Sequence, residues 1–98
     1  MLGPELVAIS PDAPEYQSLE VTVAGSMRFK ASGGSLVSVT FDANMAHRFG
    51  NVVVMFSHYH VVMAHAGKES SQRGRATEVF VKHDGRWVHT SWHLDVTP

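Results

Sequence analysis

The stretch 74–96 constrains the fold of this chain most. Two runs of alternating character, 74–82 and 87–96, flank His83-Asp84-Gly85-Arg86. Asp-Gly accepts the left-handed two-residue turn whose twist matches that of paired strands, so the segment reads as a β-hairpin. Upstream, Val37, Val39 and Phe41 alternate with Ser38 and Thr40, as a half-buried strand requires. That strand is expected to continue from Met45 to Phe49, with Asp42-Ala43-Asn44 as a bulge. Gly50-Asn51 signals a tight turn into a long strand over 52–64, whose first five residues are all apolar and therefore covered on both faces. The polar stretch 66–73 reads as a loop.

The first third of the chain carries mixed signals. Residues 5–9 form a short apolar strand stopped by Ser10-Pro11, because proline cannot donate to a ladder. Asp12 followed by Pro14 and Glu15 has the composition of a helix start. Tyr16, Leu19, Val23, Met27 and Ala31 recur at helical spacing, and Gly33-Gly34 supplies a stop. Leu19, Val21 and Val23 also alternate, and Val21-Thr22-Val23 is stiff in a helix. Signals at both ends favour the helix.

Composition narrows the function classes. Ninety-eight residues with 44% apolar and 17% charged side chains suit one folded domain over 1–98 rather than a disordered tail. A net charge of −1 gives no general grip on nucleic acid or anionic lipid. No cysteine is present, which excludes disulfides, thiolate zinc sites and a cysteine nucleophile. The apolar runs are too short to span a bilayer or act as a signal sequence, which fits a cytoplasmic address. A helix followed by consecutive antiparallel strands gives an α+β class: a curved antiparallel sheet wrapped around a helix, as a cone open at one end. One helix cannot cover both sheet faces, so a second copy of the chain is the expected partner, in a homodimer or higher oligomer.

The ending then resembles a known superfamily. Thr77-Glu78-Val79-Phe80-Val81-Lys82-His83-Asp84-Gly85-Arg86-Trp87, with His89 and Trp92-His93-Leu94-Asp95, is similar to the close of nuclear transport factor 2-like (cystatin-like) proteins. The nearest branches are the SnoaL-like domains and the association domain of calcium/calmodulin-dependent protein kinase II. Phe49-Gly50-Asn51 before Val52-Val53-Val54 resembles that superfamily's turn into its central strand. The resemblance implies a cone-shaped α+β barrel with an apolar pocket, here expected to lack the family's N-terminal helices. It implies a small hydrophobic ligand, with cofactor-free acid–base isomerase or cyclase chemistry as one version of the function. The other version is a non-catalytic association module.

Carried over by position, Tyr59, Glu78 and Phe80 are pocket candidates, with His93 where the family places a recurrent histidine. Glu78 is an acidic residue in an apolar strand; facing inward it would be desolvated and become a candidate general base, or facing outward it would pair with Arg75 or Lys82. Tyr59 would donate to a developing oxyanion, as a tyrosine does in ketosteroid isomerase. Met55 and Trp92 are expected beside them as ligand contacts, Met55 like Met27, Met45 and Met63 being adaptable core filler. Strict alternation puts Trp87 and Trp92 on opposite faces. It puts His58 with His60, and His89 with His93, as pairs that could hold a metal or make association pH-sensitive. No carboxylate lies at ligand spacing, so no metal site and no cofactor are expected. Lys68, Arg73 and Arg75 form a small basic cluster suited to a solvated loop end or to an anion.

Overall fold

The computed structural model describes residues 2–11 and 15–97. Strand β1 (Leu2–Ile9) leads to helix α1 (Leu19–Ala31), then to β2 (Gly34–Phe49), β3 (Val52–His65), β4 (Lys68–His83) and β5 (Arg86–Val96). One five-stranded sheet has the order β1-β5-β4-β3-β2. Strands β2 to β5 form an antiparallel meander, whereas β1 joins the edge parallel to β5. The sheet is therefore mixed rather than wholly antiparallel, because a strand preceding the helix returns beside the last strand in the same direction.

The turns explain the meander. Asp84 (φ 50°) and Gly85 (φ 75°) take the left-handed pair of conformations that closes β4 onto β5. Ala66 (φ 53°) and Gly67 (φ 79°) do the same between β3 and β4. The polar stretch 66–73 is thus not a loop. Residues 68–73 pair with 60–65 in unbroken register, since ladder hydrogen bonds hold a solvent-exposed hairpin end whatever its side chains. The expected β2 bulge is present: the register slips between Asp42 and Met45, with Ala43 at φ 51°.

The helix begins later than its composition suggests. Ser18, not Asp12, is the N-cap, its hydroxyl accepting from the Val21 amide at 3.3 Å. Asp12 and Pro14 lie outside the described residues; Tyr16 precedes the helix. Gly33 (φ 92°) follows the Ser32 C-cap, and Gly34 already starts β2. A Cβ at Gly34 would overlap the Phe29 ring, so this glycine lets the helix end lie against the sheet. The helix touches β1 and β2, the two edges of the sheet, which roll toward it. It has no buried residue, and Val21, Val23, Met27 and Phe29 are exposed. The most buried apolar residues are Leu6, Ala8, Tyr59 and Ala76 on the strands.

One irregularity in β5 decides which residues face inward. Ser91 pairs with Val79, but the next partner of β4, Phe80, pairs with His89, so Thr90 is extra. Its hydroxyl donates to the Val79 carbonyl at 3.3 Å. After this bulge, even-numbered residues such as Trp92 and Leu94 share the face of Tyr59; before it, the odd-numbered His89 and Trp87 do. Trp87 and Trp92 are therefore on one face, not two. His89 and His93, expected together, are on opposite faces.

Candidate functional site

A cavity of about 340 Å³ opens on the concave face. Its floor is built across three strands, with Tyr59 and Val61 from β3, Glu78 from β4, and Trp92 and Leu94 from β5. Val39 and Phe41 of β2 form one side, and Ser10 and Pro11 stand at the rim. The lining is mainly apolar and aromatic with few polar atoms, the make-up of a small-molecule site.

Tyr59, only 6% exposed, is the best-anchored side chain in this wall. Its hydroxyl donates to the Asp95 backbone carbonyl at 3.0 Å and lies 3.3 Å from Gln72 Oε1. Gly74 makes this reach possible. It sits opposite Tyr59 in the ladder, and a Cβ there would collide with the Asp95 carbonyl and come within 2.8 Å of Tyr59 Cε1. The phenol proton is thus committed to the sheet, and Tyr59 serves the cavity as an aromatic wall.

Glu78 lies in a cross-strand row with Met55 and Trp92. It is half-buried, and desolvation raises its carboxyl pKa above the ordinary value. Phe80 and Met55 share this face without lining the cavity. Phe80 instead stacks on His89 (ring centroids 4.4 Å), which in turn meets Trp92 at 4.9 Å. His89 is the residue that sequence reasoning misplaced. Burial pushes its pKa down, and its Nε2 is buried with no hydrogen-bond partner among the described residues. No local signal in the sequence announces the bulge that turns it inward.

His93 is not brought to this cavity. It lies on the outer face in a groove of about 460 Å³ with Phe56, His58, Arg75, Thr77 and Asp95. Trp92 and His93 are neighbours on a strand and must point to opposite sides. In the outer groove Arg75 Nη2 donates to Asp95 Oδ2 at 2.6 Å and Nε to Oδ1 at 3.1 Å. The Asp95 carboxyl is held below its usual range, chiefly by the Arg75 hydrogen bond, and the guanidinium is raised in return. The basic cluster is split: Arg73 and Arg75 face outward, Arg75 already paired, whereas Lys68 alternates to the other side. Among the described residues, no group of three His, Cys, Asp or Glu side chains could hold a metal. No helix there is long and apolar enough to cross a membrane.

No curated protein sequence matches the chain. Solved structures match its fold over nearly all its length. A nuclear transport factor 2-like protein from Cytophaga hutchinsonii superposes with a TM-score of 0.83 at 16% identity, covering 99% of this chain and 77% of that one. A nuclear transport factor 2-like superfamily protein from Salmonella enterica gives 0.80 at 19% identity, over 100% of this chain and 72% of that one. The association domain of C. elegans CaMKII gives 0.71 at 16% identity, over 97% of this chain and 74% of that one. At these identities the likeness is one of fold. The model of the SnoaL-like domain matches residues 1–97, and with a rolled α+β sheet and this concave cavity the chain belongs to the SnoaL-like domain family.

Proposed function

We propose that this domain binds a small, largely apolar molecule in the concave cavity and self-associates through the outer face of its sheet. The observation that carries the binding half is the cavity: aromatic and aliphatic walls surround a single ionisable carboxyl, Glu78. Tyr59 and Trp92 define the wall, and Glu78 is the group through which polar contact or proton transfer would run. Met55 and Phe80 support this row from the same face, and Phe80 also supports His89. His93, on the other face, belongs to the surface that a second copy would cover.

The self-association half rests on surface left open in one chain. No large side chain is fully buried among the described residues. On the outer face Met45, Phe49 and Phe56 are exposed, beside the half-exposed Val52, Val54 and Val79. A contiguous apolar sheet face of this kind is what a twofold partner buries. The similarity to an association domain supports the same reading. Light scattering on the purified protein tests it, with at least twice the 10.8 kDa chain mass expected. The mass should fall toward that of one chain in Phe56→Glu. Calorimetric titration with 1-naphthalenemethanol tests the cavity, and saturable binding lost in Trp92→Ala is expected. A single-chain mass at all concentrations removes the association half, and absence of saturation by any aromatic probe removes the binding half.

A further inference from the structure

The carboxyl of Glu78 is anomalous for an apolar cavity, because nothing answers it. Among the described residues it makes no hydrogen bond and no ion pair. Its cross-strand neighbours, Met55 on β3 and Trp92 on β5, are neutral. The basic groups on this face lie or turn elsewhere, Lys68 and His65 pairing beside the β3–β4 turn at the far end of the ladder from Glu78. Arg48 on β2 donates through Nε to the Gly50 carbonyl at 2.9 Å and lies over the Trp87 ring, 5.4 Å from its centroid. Lys82 stands near the β4–β5 turn, paired with Trp87. His89 on β5 is packed between Phe80 and Trp92, with its Nε2 buried and unpartnered. Protonating it would leave an unsatisfied N–H on that buried nitrogen, which disfavours the charged form as a counter-charge. The acidic side chain that this lining presents is therefore a lone carboxyl among rings.

A carboxylate in such a place is costly to ionise unless a cation meets it. A ligand that brings the cation gains a charge-assisted hydrogen bond, and faces of Trp, Tyr and Phe attract the same charge. Phe41, Tyr59 and Trp92 all line this cavity with Glu78. An anionic ligand finds no basic partner there, and a neutral one leaves the carboxyl without a counter-charge.

Resting on the binding reading above, we propose that the concave cavity is a site for an amphipathic organic cation, an ammonium carried on a hydrophobic body. The ammonium sits on Glu78, and the body packs between Phe41, Tyr59, Trp92 and the aliphatic wall of Val39, Val61 and Leu94. The site takes amines and discriminates against acids of the same shape.

The test is a matched series on one hydrocarbon: 1-naphthylmethylamine, 1-naphthalenemethanol and 1-naphthoic acid, titrated calorimetrically into the intact protein. The amine is expected to bind at least about tenfold more tightly than the alcohol, and the acid weakest. In Glu78→Gln the amine should fall to the affinity of the alcohol, while retained alcohol binding shows that the variant is folded. Lowering the pH through the titration of Glu78 should weaken amine binding and leave alcohol binding unchanged, a readout that needs no variant. Alcohol binding as tight as amine binding, or an amine preference that survives in Glu78→Gln, overturns the proposal while leaving the cavity a binding site. Failure of all three probes removes the binding site itself, and this proposal with it.

Discussion

The two faces of this sheet are made by alternate residues of the same strands, yet they treat charge in opposite ways. On the outer face the carboxylate of Asp95 is clasped by Arg75 in water, with side chains 40% and 69% exposed. On the concave face Glu78 has no partner and is partly withdrawn from solvent. Each environment moves its carboxyl pKa, one downward by a hydrogen-bonded cation and the other upward by desolvation. The paired charge is a surface feature of small consequence, because exposed ion pairs gain little over hydration. The unpaired charge is where a ligand has most to offer. The difference shows that a perturbed carboxyl is informative only with its cause attached.

That contrast can be broken by substitution, beginning where packing is tightest. Gly74→Ala should cost about 3 kcal/mol, the upper range for overpacking, because the new methyl meets the Asp95 carbonyl and Tyr59. A fall in urea midpoint at unchanged slope would measure it. Tyr59→Phe should cost about 1 kcal/mol by leaving that Asp95 carbonyl without its donor, read by the same unfolding curves.

Glu78→Gln has a smaller effect whose sign depends on pH. The folded-state carboxyl titrates above its ordinary 4.5, so over that window the folded protein holds a proton that the unfolded chain has released. Wild-type stability therefore falls as pH rises through the window, and the variant should lack that fall. Unfolding midpoints on either side of 4.5 distinguish the two. Asp95→Asn should change least. Its small deficit is expected above the ordinary 3.8 and should vanish as pH falls below it, where the wild type too loses the contribution of a carboxyl whose folded-state pKa is depressed. An acid-unfolding profile identical in parent and variant would show that the Arg75 pair adds nothing to stability.

Much of this arrangement was legible in the chain itself. Asp84-Gly85, Gly50-Asn51 and the alternating runs between them determine three adjacent antiparallel pairings through local turn geometry. The β2 bulge at Asp42-Ala43-Asn44 was legible because a polar cluster interrupts an alternating run. Residues 68–73 misled because polarity speaks for exposure rather than for absence of a ladder. The helix start misled because two sets of capping residues compete, Asp12 with Glu15 and Ser18, and only docking decides between them. Within the site, Tyr59, Glu78 and Trp92 share a face by simple parity across paired strands. His93 fails by the same parity once Trp92 is inward.

By itself, then, the sequence determined where the strands turn, the α+β class and the parity of residues along each uninterrupted strand, because these depend on local backbone preferences and a period of two. The tertiary structure decided what parity cannot carry past an irregularity. One extra residue at Thr90 turns His89 and Trp87 inward while His93 stays outside, and the assembled sheet adds β1 beside β5 as a parallel edge. A bulge costs little locally and reverses every side chain beyond it, so only the assembled sheet shows which face a residue serves.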